Sequence, residues 1–247
     1  MLISWPMTTG ANAPMFYLPL DDAGSGVVTT TLAKGQGDPT FTRATAATTY
    51  LSTGLPGSVA SGSPRSMYSP SGVYMGYGSE YAPTNLVLRS EDFTQAWAAV
   101  GTPTNSAGAG CGVITSQIIG DDDSGVLEGY TQTITYTGDA TKVVSLFVKK
   151  GTSTSSVIRL RDTTAPADRL LAAITWSGTT PVVTMTTGTD LTGTPEQHGS
   201  SGFYRIRLLS SSVTAGNTNS LQIYPATDAA LATTSTGNID VGGVQSE

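Results

Sequence analysis

The sequence predicts an all-β protein, an antiparallel β-sandwich preceded by an extended N-terminal arm. From about residue 84 onward, short β-prone segments recur at the spacing typical of a sandwich, separated by clusters of Gly, Asp or Ser. Several segments alternate apolar and polar residues, so each has one face toward water, which favours antiparallel over buried parallel pairing. The 12% share of charged residues is about half the usual one, and the 29 glycines are typical of a turn-rich chain.

Residues 1–83 differ from the rest and are predicted to form the arm. They hold most of the 13 prolines, and their apolar residues are confined to the patches 5–7, 15–20 and 67–81. A segment that cannot bury such patches by itself usually lays them on another surface. We therefore expect the arm to serve in attachment or subunit contact, and the protein to be a homo-oligomer. The apolar residues expected at the interface are Trp5, Phe16 and Tyr17.

Residues 84–247 are predicted to form the sandwich from nine strands. These strands are 112–119, 127–136, 142–149, 156–162, 170–176, 181–187, 203–210, 220–224 and 238–245. Two of them place arginines opposite apolar residues, Arg159 and Arg161 on one strand and Arg205 and Arg207 on another. We interpret the arginines as a solvated stripe or as an intersubunit face, with Arg205 and Arg207 as the interface candidates.

One short helical turn is predicted at 91–97, before the first of these strands. Ser90 can cap its free amides, and Glu91 and Asp92 complement the positive end. No long segment with helical periodicity competes with the strands.

The charge balance excludes several functional classes. Lys and Arg total 12 against 18 Asp and Glu, so the chain lacks a cationic footprint, and nucleic acid is not expected as a partner. The longest apolar run, 143–148, is far shorter than the ~20 residues that span a bilayer, so no membrane insertion is expected. The single Cys111 and the single His198 exclude a disulfide framework and a metal cluster of cysteines or histidines.

The residues that could carry catalysis predict a non-catalytic protein. His198 is expected to be a solvated loop histidine, since no Gly-x-Ser-x-Gly elbow supplies a nucleophile. Cys111 has no cationic neighbour in sequence and is expected to be an inert thiol. The acids at 121–123, Glu128 and Asp139 are interpreted as solvated turn acids, against the alternative of a glycosidase pair. We expect no enzymatic activity and no catalytic cofactor.

Four segments resemble, in order, landmarks of tailed-bacteriophage virion proteins. They are DPTFTRATAAT (38–48), APTNLVLRSEDFTQAW (82–97), GFYRI (202–206) and IDVGGVQSE (239–247). Those proteins carry a jelly-roll domain similar to carbohydrate-binding modules, so the resemblance implies a jelly-roll-like sandwich here. It also implies a non-catalytic structural component of the virion, of the tail-fibre, head-fibre or capsid-decoration type. Such a protein would be made in the host bacterial cytoplasm and would lie on the virion surface against other virion proteins.

Two ligand classes follow as alternatives. Modules similar to this one often hold a structural calcium ion, and Glu91 and Asp240 fall where those modules place acidic ligands. For a glycan, the rings of Trp97, Tyr130 and Trp176 are the candidates, because an exposed ring can stack on a pyranose face. Trp97 and Trp176 are also good core residues. The alternative function is accordingly an adsorption module that recognises host surface polysaccharide, with a polysaccharide-degrading enzyme as a third.

Overall fold

A computed structural model of the protein describes residues 47–61, 63, 65–77, 85–228, 230–231 and 235–247. These residues form strands, turns and bends, and no helix occurs among them, as predicted for an all-β chain. Trp5, Phe16 and Tyr17, the interface residues predicted in the arm, lie outside the described residues. Their role stays a prediction.

The described residues contain sixteen strands. In chain order they are β1 (Ala47–Tyr50), β2 (Pro56–Val59), β3 (Ser66–Tyr68), β4 (Tyr74–Tyr77), β5 (Ala98–Val100), β6 (Thr104–Ala107), β7 (Ser116–Asp121), β8 (Gly129–Thr135), β9 (Val143–Lys150), β10 (Ser155–Asp162), β11 (Ala167–Ser177), β12 (Thr180–Thr187), β13 (Thr189–Asp190), β14 (Tyr204–Leu209), β15 (Thr218–Tyr224) and β16 (Gly237–Ser246).

Twelve of these strands form two six-stranded antiparallel sheets packed face to face. The first sheet has the order β12-β11-β10-β15-β8-β5, and the second has the order β13-β14-β9-β16-β7-β6. The chain changes sheet at each step from β7 to β10 and again from β14 to β16. The eight central strands therefore have the jelly-roll arrangement, with β7-β16-β9-β14 facing β8-β15-β10-β11. The predicted sandwich is confirmed, and β5, β6, β12 and β13 extend its sheet edges.

The core lies between the two sheets and follows from the alternation of side chains along each strand. On β10, Ile158 and Leu160 are fully buried between the sheets, whereas Arg159 and Arg161 lie on the outer face and contact Asp168. Burying one such aliphatic side chain stabilises the fold by about 1.5–3 kcal/mol. The second sheet contributes residues of the same kind, which are Ile119, Val144, Leu146, Val148, Ile206, Leu208, Ile239 and Val241.

The described residues of the predicted arm, 47–61, 63 and 65–77, form two hairpins, the first of which packs on the outer face of the second sheet. Strand β1 pairs with β2, and β3 pairs with β4. Two backbone hydrogen bonds attach them to the sandwich, from Val113 N to Pro56 O at 3.0 Å and from Gly199 N to Pro70 O at 3.1 Å. This part of the arm therefore packs on its own chain, although Met75 remains 67% exposed. A partner subunit for the arm stays a prediction.

The predicted helical turn at 91–97 is wrong, because the segment forms successive turns without a helix. Ala96, within the segment, has a φ of 63°, which a right-handed helix excludes. Hydrogen bonds to the second sheet replace the predicted cap. Phe93 N donates to Gln117 Oε1 at 2.7 Å. The carbonyl of Ser90 accepts from Val244 N at 3.0 Å.

Candidate functional site

Trp97 and Tyr130, two of the predicted glycan-binding rings, lie in the core, both 7% exposed. Phe93 packs against both, with ring centroids 4.7 Å from Trp97 and 5.4 Å from Tyr130. The indole N–H of Trp97 donates to the carbonyl of Arg89 at 3.2 Å. Neither ring therefore offers an open face on which a pyranose could stack.

Trp176, the third predicted ring, lies near the end of β11, packs against the core and is partly buried. Its indole nitrogen is buried, and among the described residues no hydrogen-bond acceptor reaches it. Trp176 is thus the one of the three rings that keeps accessible surface, and its binding of a glycan stays a prediction.

Glu91 and Asp240, the predicted calcium ligands, are each engaged by backbone amides. Oε2 of Glu91 accepts from the amide of Thr115 at 2.9 Å and from its hydroxyl at 2.6 Å. Asp240 is 6% exposed, and its Oδ2 accepts from Ala109 N at 3.1 Å. Its Oδ1 has no hydrogen-bond partner within the described ranges and lies against Gly108, where a Cβ would come within 2.1 Å of it.

A calcium ion at Glu91 and Asp240 stays a prediction. Calcium takes six to eight oxygen ligands, and of these two residues Asp240 keeps one buried carboxylate oxygen, Oδ1, without a hydrogen-bond partner among the described residues. No group of three or more His, Cys, Asp or Glu side chains able to hold a metal ion occurs in the described part of the chain.

His198 is buried rather than solvated, which corrects the prediction for this loop. It is 2% exposed, and its ring lies 5.0 Å from the ring of Tyr50 on β1 and 5.0 Å from that of Phe147 on β9. Burial, with the nearby charge of Arg205, lowers the pKa of His198 to about 4. The imidazole is therefore neutral at pH 7 and joins the β1–β2 hairpin to the sandwich. No local pattern predicts this burial, because Tyr50 and Phe147 both lie far upstream of His198 in the sequence.

Two groups near His198 that could act as nucleophiles also have structural roles. The hydroxyl of Ser201 donates to the carbonyl of His198 at 2.7 Å, not to its ring. Sγ of Cys111 lies 3.6 Å from the same hydroxyl, and burial raises the pKa of this thiol. The thiol is therefore protonated at neutral pH, in line with the inert role predicted for it.

Asp121 and Glu128 are also buried, at 2% and 1% exposure, which corrects their interpretation as solvated turn acids. Burial raises the pKa of Asp121. Burial also acts to raise the pKa of Glu128, but hydrogen bonds from Thr102 and Asp122 outweigh it and lower the pKa. Opposite shifts are typical of an acid–base pair, but the amide of Thr102 donates to Glu128 Oε1 at 2.8 Å and that of Glu128 to Asp121 Oδ2 at 3.3 Å. The two carboxylates therefore stabilise the surrounding loops by accepting backbone hydrogen bonds, and they do not face a cleft.

Arg205 and Arg207, the interface candidates on β14, differ in their surroundings. Arg205 is half-buried, and its Nη2 donates to Gln245 Oε1 at 3.0 Å and to Ser145 Oγ at 3.2 Å. Arg207 is exposed. The first is held by its own chain, and a subunit interface at either stays a prediction.

The outer face of the first sheet carries a connected row of polar side chains, which begins at Asp168. Its Oδ1 accepts from Arg159 Nε at 2.7 Å and from Arg161 Nη1 at 3.3 Å. Nη1 of Arg159 donates to Gln222 Oε1 at 3.3 Å. Both arginines are partly buried, with side-chain exposures of 16% and 35%. Their orientation is therefore fixed before any ligand arrives.

Hydroxyl groups continue this row across the sheet. Gln222 Nε2 donates to Ser220 Oγ at 3.1 Å, and that oxygen lies 2.5 Å from Thr131 Oγ1. We call the six residues of this row the outer polar face; they are Asp168, Arg159, Arg161, Gln222, Ser220 and Thr131. The face combines planar donor groups with hydroxyls and a single carboxylate, so it can bind polar groups but cannot supply two catalytic acids. Sequence analysis singled out only its two arginines.

An apolar cluster closes one end of the outer polar face. It consists of Val157, Leu171, Ala173 and Tyr224, with Val100, Leu127 and Leu231 packed against it. Tyr224 is 4% exposed, so its ring forms part of the wall and is not a stacking platform. The polar row is thus bounded on the side toward Tyr224.

Comparison with known proteins yields similarity of structure only. No known protein family matches the chain, and no curated protein sequence does. Among solved structures, the chain is similar to the enzymatically active domain of tailspike protein 4 from bacteriophage CBA120, with a TM-score of 0.40 and 15% identity. The match covers 66% of this chain and 21% of that one, so this chain spans about a fifth of the protein it matches. None of the described residues belongs to a helix long and apolar enough to cross a membrane.

Proposed function

We propose that the protein is a non-catalytic structural component of a bacteriophage virion, a fibre, spike or capsid decoration, that displays its β-sandwich on the particle surface. The observation that carries the proposal is the strand order β7-β16-β9-β14 facing β8-β15-β10-β11. Composition and periodicity predict a sandwich, whereas the resemblance to virion proteins implies the jelly-roll form of it. The agreement supports the resemblance.

The two outer faces of the sandwich support a display role. The β1–β2 hairpin covers part of the outer face of the second sheet, so the chain enters the domain on that side. The outer polar face lies on the opposite side of the domain. An attachment through the preceding residues would thus leave the outer polar face directed away from the particle.

The buried reactive groups support a non-catalytic role. His198 is stacked on Tyr50 and in edge contact with Phe147, and Cys111 is a buried thiol. Asp121 and Glu128 accept hydrogen bonds from backbone amides. A general base must reach its substrate proton, and each of these groups is at most 2% exposed.

Particle composition tests the virion assignment. Antibodies against the purified chain are applied to purified phage particles in immuno-electron microscopy, and the particles are analysed for its peptides by mass spectrometry. We expect label at one fixed location on each particle. Peptides found in the infected-cell lysate but absent from purified particles would overturn the assignment. Release of reducing sugar ends from a polysaccharide by the purified chain would overturn the non-catalytic part.

A second candidate function, glycan binding, is favoured by the outer polar face. Side chains of Arg and Gln held in a plane, next to hydroxyls, are suited to hydrogen bonds with sugar hydroxyl groups. In a glycan array, we expect Gln222→Ala to weaken binding by about tenfold, the loss of one to two hydrogen bonds. The control Gln197→Ala, at an exposed position on the loop before β14, should bind like wild type. Binding lost in Trp176→Ala but retained in Gln222→Ala would move the site to the end of β11.

A further inference from the structure

Strand β12 forms an open edge of the first sheet. It pairs with β11 on one side and, among the described residues, has no strand on the other. An edge of this kind presents unpaired backbone N–H and C=O groups, which are a template for another strand. Eight residues, TPVVTMTT, make it longer than the edge strands β5, β6 and β13.

The hairpin that joins β11 to β12 determines which backbone groups face outward. Its loop has two residues, Gly178 and Thr179, and Gly178 has φ 63°. Such a hairpin closes on a hydrogen-bonded pair, here Ser177 and Thr180, and the bonded pairs then alternate.

This alternation leaves three residues of β12 facing the open edge. Val182 and Thr184 bond to β11, so the amides and carbonyls of Val183 and Met185 point outward. Pro181 also falls on the open side, where its missing N–H costs no bond to β11. The open stretch is bounded by this proline and by the irregularity opposite Leu171 and Ala172.

The open edge at β12 lacks the charged side chains that usually prevent a sheet edge from pairing with another chain. Residues 170–189 contain no charged side chain, so none on β12, on the hairpin or on the part of β11 that pairs with β12 repels an approaching strand. The ammonium of Lys150, from β9, donates to the hairpin carbonyl of Gly178 at 2.8 Å. Apolar side chains lie on this strand, with Val182 45% exposed and Val183 and Met185 partly buried. These side chains gain contacts when a second strand docks.

We propose that β12 pairs antiparallel with β12 of a second copy of this chain, about a two-fold axis at Thr184. The two six-stranded first sheets then continue into one another. In this register Val183 lies opposite Met185 of the second copy, and the two residues exchange a pair of backbone hydrogen bonds. The two-fold axis repeats this pair with the roles of the copies reversed. Both side chains lie on the inner face, where Val183 and Met185 already pack against the core. No like charges oppose each other, and the sequence is its own complement.

The contact is short, so the dimer is a weak one, with dissociation in the micromolar range. The proposal does not depend on the virion assignment. It also differs from the interface predicted at Arg205 and Arg207, which lie on β14 in the other sheet.

Sedimentation equilibrium of the full chain tests the pairing through one substitution and a matched control. Wild type should pass from its monomer mass of 25.3 kDa toward twice that mass as concentration rises. Thr184→Lys places two ammonium groups opposite each other at the axis, and we expect dissociation to rise at least about tenfold. Thr133→Lys puts the same side chain on an exposed position of β8, within the same sheet, and should behave like wild type. A wild-type monomer at all concentrations, or a dimer unchanged by Thr184→Lys, overturns the proposal.

Cross-linking provides a second measurement that does not rely on the lysine variant folding. At a non-hydrogen-bonded antiparallel pair the Cα atoms are about 4.5 Å apart, within the range that a disulfide spans. Thr184→Cys should therefore form a disulfide-linked dimer under mild oxidation, whereas Thr133→Cys should stay monomeric. The native Cys111 is buried and should not contribute. Absence of the Thr184→Cys dimer overturns the two-fold register.

Discussion

Acidification should lower the free energy of unfolding, because the ring of His198 is buried between Tyr50 and Phe147. A free imidazole titrates near 6.5, whereas burial and the charge of Arg205 lower the pKa of His198 to about 4 in the folded protein. Between these two values the unfolded chain binds a proton that the folded chain does not. Stability is therefore fully present above pH ~6.5 and falls as the pH decreases toward ~4.

The size of this loss follows from the difference in pKa. The step from 6.5 to about 4 is ~2.5 units, and at 1.36 kcal/mol per unit it corresponds to about 3 kcal/mol. Solvent screening reduces this little, since His198 is 2% exposed. Asp121 acts in the opposite sense, because burial raises its pKa and its protonation in acid favours the folded state. Glu128, whose pKa is lowered by its hydrogen bonds, loses stability in acid as His198 does, so Asp121 and Glu128 act against each other.

Urea unfolding, followed by tryptophan fluorescence at pH 7, 6, 5 and 4.5, measures the effect. The matched variant is His198→Phe, which keeps the aromatic contacts and removes the titration. Wild type should lose about 2–3 kcal/mol across this range, and His198→Phe should lose much less. If the variant shows the same slope as wild type, His198 does not couple protonation to folding, and the reasoning from its burial fails.

Two further predictions concern backbone space and a buried carboxylate. Gly108→Ala should lower the free energy of unfolding by about 1–3 kcal/mol in a thermal melt, because the new Cβ would lie 2.1 Å from Asp240 Oδ1. The control Gly138→Ala should be near neutral, because no atom lies within 4 Å of its new Cβ. Hydrogen bonds from Ala165, Asn217 and Arg169 lower the pKa of Asp162 to about 2, so its stabilisation is present above pH ~3.8 and is lost as the pH falls through about 2. Asp162→Asn should flatten the acid limb of the unfolding curve, and an acid limb identical to that of wild type would contradict this role.

The central strands could be predicted from sequence because the burial of one face produces an alternation of apolar and polar residues along each of them. Strand β14 alternates Ile206 and Leu208 with arginines, and this alternation by itself indicates which face is inside. Strands β5 and β6, with the sequences AAV and TNSA, show no such alternation. They form because β5 pairs with β8 and β6 pairs with β7 through backbone hydrogen bonds. Such pairing depends on the neighbouring strand and leaves no pattern in the sequence of β5 or β6.

The buried polar groups were less predictable than the strands. Glu128 follows a run of acids and glycines that is typical of a solvated turn, yet it is buried because Thr102 donates to it from 26 positions upstream. His198 is buried by residues still farther away. Likewise the outer polar face joins residues from β8, β10, β11 and β15, whose adjacency depends on the strand order. Local patterns specify a strand and its inner face, whereas these sites depend on contacts between distant parts of the chain.

The place of β16 has a consequence for how the protein folds as it is synthesised. This strand lies between β7 and β9 in the middle of the second sheet, and Asn85 holds it through hydrogen bonds to Val244 O and from Ser246 N, each 3.0 Å. Strands β7 and β9 leave the ribosome long before residues 237–246 do, and until then each has an open edge. Folding of the sandwich should therefore wait for translation of β16, and contacts of such long sequence separation make the subsequent step slow, on the order of milliseconds to seconds. During that interval β7 and β9 are the surfaces on which a chaperone, or another nascent copy, can act.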